Sequence, residues 1–264
     1  VIHSIPPRLS GPPARVAVLL PGAGSDEVFV RAVFAEPLAL LGVEVVAPAP
    51  RPGPDLVDHW LAALDAAAGA GPVLVGGISL GGHLAARWAL ANPHRCAGLL
   101  VALPGWHGSP EGAPGALSAR ASAAAVTRLG LAGALARARQ GAPAWLAEEL
   151  GRAWPRHGSG LAASLLAAAA CPAPTPAELR GLTLPVGVAA CRDDPVHPLA
   201  VAREWVAALP HAQLRTTTLA ALGVDRQALG RAAVLAWLRA HHRHRHRNHG
   251  TTAQHGPAQH EPGR

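Results

Sequence analysis

Short apolar runs alternate with stretches of helical spacing along most of this chain. Val16–Leu20 is a β-branched and leucine run that stops at Pro21-Gly22, and it predicts a buried strand. Glu27–Leu41 has helical spacing, and Val43–Ala47 predicts a second strand, stopped by Pro48, Pro50 and Pro52. Leu56–Ala68 suits a helix, Val73–Val75 a third strand, and the segment from His83 toward Asn92-Pro93 a helix. Cys96–Leu103 predicts a fourth strand, broken by Pro104-Gly105.

The rhythm then changes. From about Ser109 to Leu182 there are only alanine-rich helical pieces, cut by Gly130, Gly141, Pro143, Pro155 and Pro172. Alternation resumes with Pro185–Ala190 as a strand, Leu199–Leu209 as a helix, Gln213–Leu219 as a strand and Asp225–Ala240 as a last helix. Strands alternating with helices imply an α/β fold with a mostly parallel sheet flanked by helices. Ligands of such sheets bind beyond the carboxyl ends of the strands. The helical stretch after the fourth strand is expected to lie over that edge as a cap.

One turn in this pattern carries chemistry. Val73-Leu74-Val75 runs into Gly77-Ile78-Ser79-Leu80-Gly81, a G-x-S-x-G match, and then into helix. The bare pattern is weak in a glycine-rich chain; the strand before it and the helix after it make it specific. That setting holds a serine on a strained elbow with its hydroxyl above the sheet. An activated serine needs a base, an acid to orient the base, and donors for an oxyanion. Leu80 follows the nucleophile, so its backbone N–H is one candidate donor. Ala23, in Pro21-Gly22-Ala23-Gly24 after the first strand, is the other; an ordinary glycine turn is the alternative for that loop. Asp194, in Cys191-Arg192-Asp193-Asp194-Pro195 at the end of the fifth strand, is the candidate acid. It could equally be a helix cap or a solvated turn.

These elements together resemble an α/β-hydrolase with a helical cap. The matching segments are LLPGAGSD at 19–26, GISLGG at 77–82, CRDDPVHP at 191–198, and the closing strand and helix. The resemblance covers roughly residues 16–240 and implies an abbreviated sheet of about six strands. It also implies a serine hydrolase that cleaves a small ester or thioester. Residues 16–108 and 185–240 would form the core and 109–184 the cap insertion. Residues 1–15 would be an N-terminal extension and 241–264 a disordered His/Arg-rich tail.

The histidine departs from the family pattern. In the family it follows the last strand, usually just after a glycine, and here that place reads Gly223-Val224. Two substitutes sit at the correct sheet edge: His197, three residues beyond Asp194, and, less favoured, His107 after the fourth strand. His83, four residues after Ser79, suits a core position. His59, His94, His157 and His211 carry no positional argument. Val224 in the histidine slot also motivates a rival reading, a hydrolase-fold protein that binds a small ligand without turnover.

Tryptophans divide in the same way. Trp88 and Trp205 suit the core helices, and Trp106 the loop over the pocket. Trp145 and Trp154, with Leu146, Leu150 and Leu161, suit either a packing face of the cap or the lining of an apolar acyl pocket.

Composition narrows the classes. Half of the 264 residues are apolar, which suits a single globular α/β domain. All 23 basic residues are arginine, and lysine, tyrosine and methionine are absent. With the abundant alanine, glycine and proline, this points to a GC-rich bacterial genome, so the alanine-rich helices carry no functional meaning. The net charge of +7 is concentrated in Arg239–Arg264, which holds five arginines, one acid and seven histidines. The body carries a surplus of only three, so neither nucleic acid nor membrane is expected as a partner. The tail itself could hold a divalent metal or dock on an anionic surface. Cys96, Cys171 and Cys191 are odd in number and widely spaced, suggesting no disulfide framework and no metal pattern, and a cytoplasmic setting. Val1–Arg15 lacks the apolar core of a secretory signal. No metal or organic cofactor is expected, and the sequence leaves the oligomeric state open.

Overall fold

The apolar runs Val16–Leu20, Val43–Ala47 and Cys96–Leu103 are each followed by a proline, which cannot continue a strand interior, so each delivers the chain to a loop at its carboxyl end. The computed structural model describes residues 14–252. It contains β1 (Val16–Leu20), α1 (Glu27–Ala39), β2 (Glu44–Val46), α2 (Leu56–Ala67), β3 (Val73–Ile78), α3 (Leu80–Ala91) and β4 (Cys96–Ala102). Four helices follow: α4 (Pro114–Gln140), α5 (Ala144–His157), α6 (Leu161–Ala170) and α7 (Pro176–Leu179). Then come β5 (Val186–Cys191), α8 (Leu199–Ala208), β6 (Ala212–Thr217), α9 (Leu219–Val224) and α10 (Gln227–Thr252).

The six strands form one sheet in the order β2-β1-β3-β4-β5-β6, with all neighbours parallel. Parallel strands are covered on both faces, which is why β3 and β5 are buried at every residue. Trp60, Leu64, Leu84, Trp88 and Trp205, from α2, α3 and α8, pack on one face. Phe34, Leu38, Leu229 and Trp237, from α1 and α10, pack on the other. Trp88 and Trp205 thus occupy the core, as their spacing predicts. The order reverses at β1 and β3, and the loops leaving these two strands border the crevice where such sheets bind ligands.

Two elements differ from the sequence reading. The closing strand stops at Thr217, and the expected run to Leu219 instead enters α9, whose first turn Thr218 caps by accepting from the Ala221 N–H at 3.0 Å. Pro155 does not cut a helix; it is carried in the last turn of α5. Gly130 does interrupt α4, with φ 69° and ψ 168°, and Gly141 and Pro143 separate α4 from α5.

The tail expected to be disordered from residue 241 is helical as far as Thr252, as the continuation of α10. Arginine is a good helix former, and the histidines find ring partners there. Trp237 stacks on His241 at 5.7 Å, His242 meets His246 one turn on at 4.3 Å, and His244 meets His211 at 4.5 Å. Residues 253–264, and all of the N-terminal extension except Ala14 and Arg15, lie outside the described residues. Among the described residues no helix is long and apolar enough to cross a membrane.

Candidate active site

Ser79 stands between β3 and α3 with φ 53° and ψ −120°, a conformation that L-residues rarely adopt. Its glycine neighbours are demanded by space. A Cβ on Gly77 would lie 2.4 Å from the Leu20 carbonyl oxygen, and one on Gly81 would lie 2.2 Å from the same atom. The elbow therefore packs directly on the end of β1. The Ser79 amide donates to the Ala102 carbonyl at 2.9 Å, which anchors the turn to β4.

The β5–α8 loop brings the acid and a histidine to this serine. Asp194 Oδ1 accepts the N–H groups of Val196 at 2.8 Å and His197 at 3.1 Å. An aspartate that takes its own downstream amides curls the chain behind it. Pro195 between them has no N–H to compete. The curl folds the His197 ring back, so that Nδ1 lies 2.9 Å from Asp194 Oδ2 and Nε2 lies 3.0 Å from Ser79 Oγ. With Nδ1–H donating to the carboxylate, Nε2 is free to accept the serine hydroxyl proton. Burial by itself would raise the Asp194 pKa. The hydrogen bond and charge of His197 and the two backbone amides outweigh it, holding the carboxyl below its ordinary value.

The two candidate donors adjoin the serine. Leu80 opens α3, and the Gly22–Gly24 loop leaves β1 close by; a Cβ on Gly22 would sit 3.7 Å from Ser79 Cβ. The amides of Ala23 and Leu80 donate to no other described residue.

His107 stands elsewhere. Its Nε2 is 2.9 Å from Glu204 Oε2 in a half-exposed pair, and it does not line the cavity at Ser79. The alternative base is thus engaged by a carboxylate of α8, because the β4 exit loop carries its ring outward. Val224, in the family's histidine slot, ends α9 and is 92% exposed. Asp193, the neighbour of the acid, ties the start of α9 to this loop by accepting the Leu219 N–H at 2.8 Å.

Ser79, Asp194 and His197 border a cavity of about 560 Å³. Its walls come from the loop after β1, from α4, α5 and α6, and from α9. Phe29, Trp145, Leu146, Trp154, Leu165 and Leu222 make it largely apolar. Trp145 and Trp154 therefore serve both roles open to them: they line the cavity, and Trp154 packs in a cluster with Leu161 and Leu165 while Trp145 stacks on Phe29 at 6.5 Å. Trp106 is not part of that lining; it is buried in the core below the β4 exit.

Two sets of residues escaped the sequence reading. The first fastens α5 to the loop after β1. Asp26, fully buried, caps α1 through the Val28 and Phe29 amides and also pairs with Arg152 and with Arg156, the latter at 2.6 Å. Glu27 pairs with Arg156, Glu149 with Arg152, and Glu149 with Arg226 at 3.6 Å. His157 Nε2 adds a contact to the Ser25 carbonyl at 2.9 Å. The spacing of Arg152 and Arg156 on one helix face is visible in the sequence, but their partners 126 and 130 residues earlier are not. The second set is the α9 wall, Leu219 and Leu222.

Comparison of the sequence with family models and with curated proteins finds no match. Solved structures do match. A thermophilic esterase from Thermogutta terrifontis is similar at 20% identity and a TM-score of 0.66, over 88% of this chain and 92% of that one. A hydrolase from Pseudomonas aeruginosa is similar at 25% identity and 0.60, also over 88% and 92%. The thioesterase domain from the curacin biosynthetic pathway is similar at 18% identity and 0.58, over 86% and 93%. With its six-stranded parallel sheet, this chain has the α/β-hydrolase fold.

Proposed function

We propose that the protein is a serine hydrolase that cleaves a small ester or thioester of an uncharged acyl group through an acyl-Ser79 intermediate. The observation that carries this reading is the unbroken hydrogen-bond chain Ser79–His197–Asp194 on the border of an apolar cavity. In the proposed reaction His197 Nε2 takes the hydroxyl proton as Ser79 Oγ adds to the substrate carbonyl. The amides of Ala23 and Leu80 receive the oxyanion, and one such donor is typically worth about 10²–10³ in rate. His197 then returns the proton to the leaving alcohol or thiol, and a water activated by the same ring releases the acid. Asp194 orients the ring and stabilises its cationic form. The scheme requires no metal or organic cofactor.

The lining favours an uncharged acyl group. Glu149 is the acid in the wall besides Asp194, and it is engaged by Arg152 and Arg226. Among the described residues no arginine borders the cavity to receive a substrate carboxylate. Residues 109–184 are proposed to act as the cap, with 16–108 and 185–240 as the core, because helices from that insertion wall the cavity. A cytoplasmic setting belongs to the same proposal and is supported by three unpaired, buried cysteines.

An active-site-directed fluorophosphonate is expected to label the protein once, at Ser79, and Ser79→Ala to abolish labelling. No labelling of the wild type at neutral pH would overturn the proposal. The rival reading, ligand binding without turnover, was motivated by Val224. It loses that motive with a histidine from another loop hydrogen-bonded to the serine.

A further inference from the structure

His83 is a buried histidine, 1% exposed, four residues beyond Ser79 on α3. Its Nε2 accepts the Gly105 N–H at 3.0 Å, and its Nδ1 is buried without a partner among the described residues. Trp106 meets the ring edge-on at 4.7 Å, and Trp205 stacks on it at 5.6 Å. The tryptophans are themselves tied down. Trp205 Nε1 donates to the Trp106 carbonyl at 2.9 Å, and Trp106 Nε1 to the Cys171 carbonyl at 3.3 Å. The β4 exit loop is thus held from α3, from α8 and from the segment after α6.

That loop lies against His197. A Cβ on Gly105 would sit 3.7 Å from His197 Cδ2 and 3.8 Å from His83 Cε1, so one glycine separates the two rings. Leu103, two residues earlier, has φ 52°, so the backbone here takes an uncommon path that its surroundings must enforce. Trp205 is on the helix that begins two residues after His197, so the same cluster fixes both sides of the base.

We propose that His83 is a positioning residue for His197: as a neutral imidazole it accepts the Gly105 N–H and fixes the segment on which the His197 ring rests. This rests on the reading of His197 as the base. Burial, and then the nearby His197, push the His83 pKa down to about 3, so the ring stays neutral wherever the enzyme would work. His197 is the titratable group that acts on it; the aromatic neighbours are uncharged. A cation here would oppose the charge that forms on His197 during the reaction. The arrangement also explains how the base is held on the β5 loop. With His197 delivered by its own curl and backed by a clamped backbone, the slot after β6 is not needed.

Nitrogen-15 NMR of the wild-type rings and two variants test this. In the wild type, His83 is expected to show an unprotonated Nε2 and a protonated Nδ1 from pH 5 to 8. A protonated Nε2 would overturn the proposal without any variant and whatever the activity, so this arm stands apart from the assignment of hydrolase function. His83→Leu, which removes the acceptor, is expected to lower kcat about 10–100-fold with KM unchanged. It should also move the His197 Nδ1–H proton resonance upfield, as its hydrogen bond to Asp194 loosens. His83→Gln, whose Oε1 falls near the position of Nε2, should recover most of both. A folded His83→Leu protein with wild-type kcat and an unmoved His197 Nδ1–H resonance would also overturn it. If wild-type protein neither labels at Ser79 nor turns over esters while the NMR result stands, the functional proposal fails and the positioning role does not.

Discussion

Asp194 performs two tasks that are usually divided between chain segments. One carboxylate oxygen gathers the two amides that shape the loop, and the other holds the histidine ring that the shape presents. In the proposed mechanism an acid and a base three residues apart serve one nucleophile, although so short a separation leaves little slack in the backbone. The residue signals were unequal in the sequence. Ser79 was legible because sterics force glycines at Gly77 and Gly81, and Asp194 because it follows a strand closely. Both His197 and His107 follow strands at the same edge, so the sequence favoured His197 only for its nearness to Asp194, and the Asp194 curl shows why that nearness counts. Val224 is 92% exposed and does not line the cavity at Ser79, so adding Val224→His to a His197→Ala protein should recover none of the lost ester hydrolysis. Recovery of even a tenth of wild-type kcat/KM would show that the family's usual histidine slot is still within reach.

Among the elements, α5 governs how the cavity is closed. It supplies Trp145, Leu146 and Trp154 to the wall and is fastened to the loop after β1 through Asp26. Burial would raise the Asp26 pKa, but its bonds to Arg152, the Phe29 amide and Arg156 outweigh this and hold it below the ordinary value. A depressed carboxyl stabilises the fold above its unfolded pKa of about 3.9 and loses that effect as pH falls through the folded value. Asp26→Asn is expected to cost about 1–3 kcal/mol at pH 7, less than a fully enclosed pair would, because both arginines are partly exposed. In urea denaturation the gap from wild type should narrow below about pH 4, and an equal gap at pH 3 and pH 7 would refute the assignment. The helices were legible as elements from their spacing. The short α9 was not, because its six residues follow a strand without a break and depend on a single threonine cap. The charge network was hidden for another reason: its partners lie more than a hundred residues apart.

For the whole molecule, alternation of strands and helices was enough to define the six-stranded parallel sheet, since each strand is followed by a helix and the central strands read as continuous apolar runs. Tertiary detail was less accessible. The polar composition of the His/Arg segment suggested a disordered tail, yet its residues 241–252 extend α10, where helix formers follow directly on a packed helix and rings meet across successive turns. We propose that this six-stranded sheet positions its base from the loop after β5 rather than from the loop after β6. Hydrolysis of a p-nitrophenyl ester by His197→Ala and His107→Ala proteins tests it most directly. His197→Ala should lower kcat/KM by about 10³-fold or more, the scale on which loss of a triad member acts, while His107→Ala should stay within about twofold of wild type. Undiminished hydrolysis by the His197→Ala protein, or its loss in His107→Ala, would contradict the account.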